Sequence, residues 1–324
     1  MDTIWLEDFL AVAEWANFSR AAEHRNVTQP ALSRRVKALE DWVGAPLFDR
    51  ATHRITLTDA GERFRPVAED TLRRLHQGRE DIRALVSTTA ATVTFASTHA
   101  LALTYFPAWL RAVEDAAPEP LSGIRLVADT MQACERIMLQ GQAQFLLCHH
   151  HPAAPGRLDG GDFRSLTLGA DTLVPVCAPV CAPDGNGAPR HPLPGGPGQP
   201  AAHLSYSDES GMGRIAEAAR GAMDPRPCLE TVFTSHVAVL LKTMALDGRG
   251  LAWLPLSLVE PDLAPGGGLV RAGDGRWDIP ITIRLFRPRA RLSPVAERFW
   301  ERLKTEFPRT DHITSPERNI HSKI

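Results

Sequence analysis

The fold of the N-terminal part is decided by residues 18–50, which read FSRAAEHRNVTQPALSRRVKALEDWVGAPLFDR. Ser19 and Thr28 stand where a hydroxyl can cap a helix, and Pro30 is tolerated in a first turn. Asn26 suits the turn between the two helices. The second helix has one apolar face, made by Leu32, Val36, Leu39 and Val43. Two helices joined by a tight turn predict a helix-turn-helix, whose second helix enters the major groove of DNA.

The opposite face of the second helix is polar and cationic. Residues 20–37 carry five lysines or arginines against one acid, Glu23, and that local charge suits phosphates. The net charge of the whole chain is only −2, so DNA binding has to come from this patch and not from an overall basic field. An ordinary helical hairpin with a solvated polar face is the alternative interpretation.

Two kinds of DNA contact are expected from this patch. Arg34 can make a bidentate contact to guanine and Gln29 to adenine. Pro30 and Ser33 are expected at the base edges or very near them. Thr28, at the start of the helix, is a further predicted DNA-binding residue. Contacts to phosphates are assigned to Arg20, Arg35, Lys37, Arg50 and Arg54.

Flanking segments extend this DNA-binding unit to residues 1–58. Thr3 to about Trp15 is predicted to form a first helix that braces the other two. Pro46–Thr58 is predicted to form a short hairpin, or wing, that lies along the DNA backbone. A solvated loop without a role is the alternative for this segment.

A long helix is predicted next. Thr58 can cap it, and its pattern runs to about Val86, so about 28 residues span roughly 40 Å at 1.5 Å per residue. Such a helix needs a partner to bury its apolar stripe, and residues 59–91 are therefore predicted to be a linker helix and hinge that pairs two copies of the chain. Packing against the chain's own second half is the alternative. The stripe consists of Phe64, Ala68, Leu75 and Ile82.

Residues 92–307 show alternating strand and helix signals, which predict a parallel α/β sheet. Among these signals, Thr98–Val113 is predicted to be one helix, and the stretch TLVPVCAP from Thr172 a strand. The pattern is interrupted midway, so two lobes with a cleft between them are expected. Lobe I would comprise residues 92–168 and 276–307, and lobe II residues 169–275. The two crossovers between the lobes are expected near Leu168–Asp171 and Leu269–Ile279.

Two segments differ in composition from the rest. Residues 178–200 are rich in proline and glycine and are predicted to form a mobile surface insertion in lobe II. Residues 308–324 are polar and are predicted to be a disordered tail.

Ligands of open α/β sheets bind beyond the carboxyl ends of the strands. Polar side chains stand at these ends, and the following helix starts offer backbone N–H groups to an anion. The alternative for each hydroxyl is that it only caps its helix. The predicted lining of this ligand site is Ser97, Thr98, Thr130, His149 and Ser235.

Metal and thiol chemistry are not favoured. Cys148–His151 offers thiolate and imidazole groups that suit zinc, nickel or copper, but consecutive residues at a strand end point to alternating sides and rarely meet one ion. Cys177 and Cys181 flank the start of the insertion, and a thiol switch would need an accessible thiol of low pKa with a resolving partner. No metal and no cofactor are therefore expected.

The sequence contains no GxSxG, P-loop, HExxH or paired CxxC motif, so no catalytic residues and no enzyme activity are expected. No apolar run approaches the roughly 18 residues of a membrane helix, and the acidic start MDTIWLEDF is not a secretory signal. Five scattered cysteines suit a reduced, cytoplasmic setting. A solute-binding protein or an enzyme on the same two-lobed fold is the competing class, and the helix-turn-helix argues against both.

The motifs FSRAAE, VTQPALSRRVKALE, VGAPLFDR and LTDAG, in this order and spacing, resemble the N-terminal domain of LysR-type transcriptional regulators. The resemblance continues more weakly to about residue 305. It implies a winged helix-turn-helix, a linker helix and a two-lobed effector domain similar to periplasmic binding proteins. It also implies double-stranded promoter DNA as partner, a dimer or tetramer of the chain itself, RNA polymerase as a further partner, and a small-molecule or oxidant effector.

The opening residues 1–48 closely resemble the hypochlorite-responsive subgroup of this family. In that subgroup the oxidation of methionine to its sulfoxide is the switch, because it turns an apolar side chain polar. The resemblance carries this role onto Met131 and Met212, with Met244 as a third candidate. A core-filling role for each methionine, and a small anionic metabolite as effector, are the alternatives.

Overall fold

The structure, a computed structural model, describes residues 2–49, 55–86, 92–115, 123–180 and 187–306. The chain divides into two compact units, Met1–Ala91 with Arg136–Ala143, and Thr92–Glu135 with Gln144–Ile324.

The N-terminal unit is a helical bundle with a small wing and a long helix. Its elements are α1 (Thr3–Trp15), α2 (Phe18–His24), α3 (Gln29–Val43), β1 (Phe48–Asp49), β2 (Thr56–Leu57) and α4 (Asp59–Val86). The strands β1 and β2 pair antiparallel. The helix-turn-helix, the wing and the long helix predicted from the sequence are confirmed.

The helix caps differ in part from the predictions. Asn17 Oδ1 accepts hydrogen bonds from the backbone N–H groups of Ser19 and Arg20, at 2.9 and 3.1 Å. The helix α2 therefore begins before Ser19, and the prediction of Ser19 as its cap is wrong. Thr28 occupies the cap position of α3, but its hydroxyl makes no capping hydrogen bond. Thr58 Oγ1 accepts a backbone N–H of the first turn of α4 at 3.1 Å, which confirms it as a cap.

Two buried carboxylates make hydrogen bonds that connect the helices of the bundle with one another and with the start of the wing. Asp8 of α1 is fully buried and accepts hydrogen bonds from Arg25 at 2.9 Å and from Arg35 at 3.2 Å. Glu40 of α3 accepts the backbone N–H of Leu47, next to β1, at 2.9 Å. Charge-assisted hydrogen bonds thus reinforce an apolar core. That core is built around Leu6, Phe9, Leu32, Val36, Leu39 and Leu47.

The chain after α4 alternates strands and helices. The first elements are β3 (Val93–Thr98), α5 (His99–Thr104), α6 (Phe106–Asp115), β4 (Ile124–Asp129), α7 (Met131–Leu139), β5 (Phe145–His150) and β6 (Phe163–Cys177). Then follow β7 (Ala201–Tyr206), α8 (Gly211–Gly221), β8 (Leu229–Ser235), α9 (Ala238–Leu246), β9 (Ala252–Pro255), α10 (Leu256–Leu263), β10 (Val270–Arg271), a 3-10 helix (Gly275–Trp277), β11 (Ile279–Pro288) and α11 (Pro294–Glu306).

The main sheet is mixed. Its strand order is β10-β6-β11-β5-β3-β4, and β9 also pairs with β6. The strand β3 is parallel to β4 and β5, whereas β11 is antiparallel to both β5 and β6. The strands β7 and β8 form a separate parallel pair. The prediction of a parallel sheet is wrong for β6 and β11, because these strands cross between the lobes in opposite directions.

Two hydrophobic cores lie along the sheet and define the two lobes. The core of lobe I includes Phe95, Trp109, Phe145 and Phe299, and that of lobe II includes Leu204, Ile215, Leu241 and Trp253. The core changes between Leu168 and Leu173 along β6, and between Ile281 and Ile283 along β11. A shift in the pairing of the two strands leaves Leu168 as a β-bulge at this crossing. The two-lobed α/β architecture is confirmed.

Three elements of the lobes depart from the sequence interpretation. The predicted helix from Thr98 to Val113 is two helices, because Pro107 has no N–H for a continuous helix and the chain turns at Tyr105. The strand predicted from Thr172 begins already at Phe163. The helix α10 was not predicted at all.

The described part of the Pro/Gly-rich insertion is built into lobe II. Backbone hydrogen bonds join Val180 to Ala188 at 2.7 Å and Leu193 to Ala272 at 2.7 Å. Residues 178–180 and 187–200 are therefore hydrogen-bonded to each other and to lobe II, and the predicted mobility of the insertion stays a prediction. Residues 181–186 and the predicted tail lie outside the described residues. None of the described helices is long and apolar enough to cross a membrane.

Candidate DNA-binding face and inter-lobe cleft

The outward face of α3 presents the predicted base-contacting side chains. Gln29, Pro30 and Arg34 are exposed, and Ser33 is half-buried beside them. Thr28 is exposed at the helix start. Within the described residues, Arg34 has no carboxylate within 4 Å, so its guanidinium is available to a guanine edge.

The predicted phosphate contacts fall into different environments. Arg20 is exposed on α2, and Lys37 pairs with Asp41 at 2.9 Å on the surface. Arg35 is 35% exposed and shares the buried carboxylate of Asp8, so it also braces the bundle. The remaining two predicted contacts, Arg50 and Arg54, lie outside the described residues.

The helix α4 uses its apolar residues in two ways. Of the predicted stripe, Phe64 and Ala68 pack into the core of the bundle. Farther along, Leu75 and Ile82 are 52% and 62% exposed, and Val67 is 54% exposed. An apolar row along the outer part of α4 therefore remains in solvent within this chain.

A narrow cleft lies between the lobes, where several strand ends and helix starts meet. Its free volume is only about 20 Å³, enough for about one water molecule. Lobe I contributes the ends of β3, β4 and β5, and lobe II contributes the start of α8 and the residue after β8. The lining residues are Thr98, His99, Ala100, Asp129, Thr130, Met131, His149, Ser210, Gly211, Met212 and His236.

The structure brings three of the five predicted effector residues into this cleft, Thr98, Thr130 and His149. Ser97 is fully buried, and its Oγ donates to the carbonyl of its neighbour at 3.2 Å. Ser235 Oγ accepts the backbone N–H of residue 237 at 3.1 Å at the start of α9. The last two side chains thus make local hydrogen bonds outside the cleft lining.

Sequence reasoning missed His99 and His236, whose rings lie 5.7 Å apart, centroid to centroid. Both directly follow a strand end, and that position was the available signal. His236 also lies 3.6 Å from a carboxylate oxygen of Glu209. The cleft therefore combines imidazole, hydroxyl and thioether groups around a nearly closed space.

Met131 lies at the contact between the lobes. It begins α7 of lobe I and is 7% exposed. A Cβ placed on Gly211, at the start of α8, would lie only 3.0 Å from Met131 Cγ. A backbone hydrogen bond of 3.4 Å from Gln132 to Glu209 crosses at the same place. Any larger residue at position 211 would therefore crowd Met131, which would have to shift by a few tenths of an ångström.

The other two candidate methionines lie in lobe II. Met212 is 6% exposed, lines the cleft and packs into the lobe II core. Its sulfur accepts a hydrogen bond from the Tyr206 hydroxyl at 3.6 Å, and burial raises the pKa of that hydroxyl. Met244 is partly buried against the same core and does not line the cleft.

His149 reaches from the cleft towards the crossing of the lobes. It is 6% exposed, and its Nε2 lies 3.8 Å from Asp171 Oδ2. Ser257 donates to the same carboxylate at 2.5 Å. Burial acts to raise the pKa of Asp171, but His149 and Ser257 outweigh it and the pKa is lowered. A carboxylate that stays ionised thus faces a buried imidazole without a close hydrogen-bond partner in the described structure.

A buried ion pair links the lobes beside the cleft. Glu135 of α7 is 1% exposed and accepts a hydrogen bond from Arg214 of α8 at 3.1 Å. It also accepts the backbone N–H of Arg157 at 3.0 Å. Since a lone buried charge is costly, these contacts favour the closed arrangement.

Two buried thiols of the effector unit lie in environments that disfavour the thiolate. Burial raises the pKa of Cys148 and of Cys177, which disfavours the reactive thiolate. Cys181 lies outside the described residues. His150 pairs with Asp159 at 3.0 Å, and no cluster of three metal-ligating side chains occurs in the described part of the chain.

Two family models match the chain. One is described as "Bacterial regulatory helix-turn-helix protein, lysR family" and matches residues 4–62, and the other as "LysR substrate binding domain" and matches residues 87–308. The chain belongs to the LysR family. It is thus a DNA-binding transcriptional regulator with an effector-binding domain, as the sequence motifs predicted.

Individual LysR relatives match over almost the whole chain. The HTH-type transcriptional regulator YjiE of Escherichia coli (strain K12) is 31% identical over 311 residues, 94% of each chain. Full-length HypT from Salmonella typhimurium, a hypochlorite-specific LysR-type regulator, is 31% identical with a TM-score of 0.55, covering 94% of this chain and 98% of HypT. Vibrio fischeri DarR, solved in complex with DNA, is 31% identical with a TM-score of 0.53, covering 93% and 97%. These relatives are regulators and not enzymes.

Proposed function

We propose that this LysR-family regulator binds double-stranded promoter DNA as a dimer, with one α3 in each half of a pseudo-palindromic operator. The observation that carries the proposal is the exposed face of α3, where Gln29 and Arg34 stand beside basic side chains. The exposed row of Val67, Leu75 and Ile82 on α4 is the dimer contact in this proposal. Two such dimers can join into a tetramer, and RNA polymerase is a further partner on the promoter.

The test selects an operator from a random DNA pool with the purified full-length protein. We expect a site with two related half-sites and a complex of at least two chains by mass photometry. A single half-site bound by one chain would contradict the dimer, and a pool without enrichment would contradict sequence-specific binding.

We further propose that oxidation of Met131 switches the regulator. Hypochlorite transfers its oxygen to the thioether, which gives methionine sulfoxide and chloride. Met131 supports this role because its side chain lies against Gly211 across the cleft, so a new polar oxygen needs space and hydrogen bonds there. Oxidation would thus weaken the contact between the lobes. Met212 is the second candidate, and Met244 has no comparable position.

The test compares three variants before and after a mild excess of hypochlorite. Met131→Leu keeps the shape without the sulfur, Met131→Gln carries a polar group like the sulfoxide, and Met244→Leu is the matched control. We expect DNA binding to change on oxidation in the wild type and in Met244→Leu, to be insensitive in Met131→Leu, and to be shifted from the start in Met131→Gln. A normal response of Met131→Leu would contradict this switch.

A small anionic effector is the second candidate input for the cleft. The buried Thr98 hydroxyl and both ring nitrogens of His149 have no hydrogen-bond partner among the described residues, and both side chains line the cleft. Since the closed cleft holds about 20 Å³, any metabolite would have to open the lobes. Domain opening measured by small-angle scattering on adding a metabolite, with no need for an oxidant, would favour this candidate over methionine oxidation.

A further inference from the structure

A second, much larger concavity lies entirely within lobe II. It is a groove of about 720 Å³ between α8 and the strands β7, β8 and β9. This volume falls in the range of about 300–1,000 Å³ that is usual for small-molecule sites. Its lining includes His203, Ser205, Arg214, Arg220, Thr231 and Trp253.

Arg220 is held rigidly in this groove. Its Nε donates to the backbone carbonyl of Ala216 at 3.1 Å, and its Nη1 lies 3.1 Å from His203 Nε2. The guanidinium carbon lies 5.2 Å from the ring centroid of Trp253, which is buried. Hydrogen bonds and a cation–π contact therefore fix the orientation of the guanidinium.

The charge of Arg220 lacks a counter-ion. No carboxylate lies within 4 Å of its guanidinium in the part of the chain that the structure describes. By contrast, Arg25, Arg35 and Arg214 each pair with a buried carboxylate. Burial lowers the pKa of Arg220, and the more distant Glu217 only partly opposes this. A guanidinium in such a place gains from a bound anion, which it can meet with two parallel hydrogen bonds.

His203 orients the cation without adding charge. Burial and the neighbouring Arg220 lower the pKa of His203 to about 3, so the imidazole is neutral at physiological pH. Its Nε2 then accepts from Arg220 Nη1. The ring is 5% exposed and stands edge-on to Trp253 with centroids 5.8 Å apart.

The rest of the groove offers hydrogen-bonding groups and charges of both signs, since Asp208, Glu217 and Arg226 also belong to its lining. Ser205 and Thr231 supply hydroxyls on the adjacent strands β7 and β8. Ser207 also lines the groove, and its buried hydroxyl has no partner within the described structure. Arg214 at the rim is already paired with Glu135. Arg220 thus lies beside an aromatic ring and several hydroxyls, with no carboxylate within 4 Å among the described residues, which is a setting for a small polar anion.

We propose that the groove of lobe II binds a small metabolite through a carboxylate or phosphate group paired with Arg220. The site is separate from the inter-lobe cleft and independent of the methionine switch. Its ligand lies against Trp253 and the hydroxyls of β7 and β8.

The test titrates the full-length protein with succinate and, separately, with inorganic phosphate at constant ionic strength, using isothermal titration calorimetry. The two probes distinguish a carboxylate from a phosphate site. We expect saturable binding of at least one probe, weakened about tenfold or more in Arg220→Gln and less in Arg220→Lys, which keeps the charge but not the planar fork. Arg249→Gln, exposed and outside the groove, and Arg34→Ala, on the DNA-binding face, should bind as the wild type does.

Three results would overturn the proposal. They are the absence of binding of both probes, equal binding by Arg220→Gln and the wild type, and loss of binding in Arg34→Ala. Circular dichroism and thermal melting of Arg220→Gln and Arg220→Lys, compared with the wild type, show that the effector unit is folded in both variants. If Arg220→Gln instead separates the oligomer and no probe binds to the wild type, the groove is covered by another chain and the anion site is refuted.

Discussion

The replacement Arg34→Ala should weaken binding to the operator and at the same time relax its sequence preference. Arg34 is exposed on α3 and has no acidic partner within 4 Å among the described residues, so its loss should change stability by less than about 0.5 kcal/mol. A bidentate contact to guanine discriminates by about 1–3 kcal/mol, which corresponds to about 5-fold to 150-fold in affinity. Almost all of that difference should appear on the preferred base pair.

Arg20→Ala is the matched control. Arg20 is equally exposed but lies on α2, where it is assigned to a phosphate. Its loss should weaken binding to all sequences by the same factor and reduce the slope of log affinity against log salt by about 1. Fluorescence anisotropy with the selected operator and single-base variants, at several salt concentrations, measures both effects. If both variants lose affinity equally on every sequence, Arg34 does not contact a base and the assignment on α3 is refuted.

Three further predictions concern the linker helix, the cleft and the lobe I core. Leu75→Glu should separate the dimer, because it puts a charge in the exposed apolar row of α4. Analytical ultracentrifugation measures the oligomeric state, and a dimer that persists in this variant would contradict the prediction. Gly211→Ala should destabilise the effector unit by about 1–3 kcal/mol, since its Cβ would lie 3.0 Å from Met131 Cγ; an unchanged melting curve would contradict this. Glu297 pairs with Arg287 at 2.7 and 2.8 Å and also accepts the backbone N–H of Leu292. Both contacts lower the pKa of Glu297. Glu297→Gln should therefore cost about 1–3 kcal/mol at neutral pH and progressively less as the pH falls through the lowered pKa; a cost independent of pH would contradict this.

The sequence was most informative where local signals agree. The apolar face of α3, the cap at Thr58 and the length of α4 could be predicted because spacing and capping act within a few residues. The cap of α2 was missed because Asn17 and Ser19 both have suitable side chains, and only the backbone decides which one reaches the first turn. The direction of β11 was also missed, since strand pairing depends on residues far apart in the chain.

The candidate sites show the same limit. The positions of the strand ends correctly predicted that Thr98, Thr130 and His149 line the cleft. They could not predict that Ser97 is fully buried in the core. The groove around Arg220 could not be predicted, because its residues come from β7, α8, β8 and β9 and none of them forms a local motif. The close approach of Gly211 to Met131 likewise became visible only once the lobes were assembled.

The crossing of the lobes consists of two continuous strands, β6 and β11, paired beside the bulge at Leu168. The carbonyl of Leu168 also accepts the Tyr105 hydroxyl at 3.2 Å. The lobes are consequently joined here by two strands that are hydrogen-bonded to each other, and not by single unpaired segments of chain. Any input that moves one lobe against the other must therefore bend or twist these hydrogen-bonded strands.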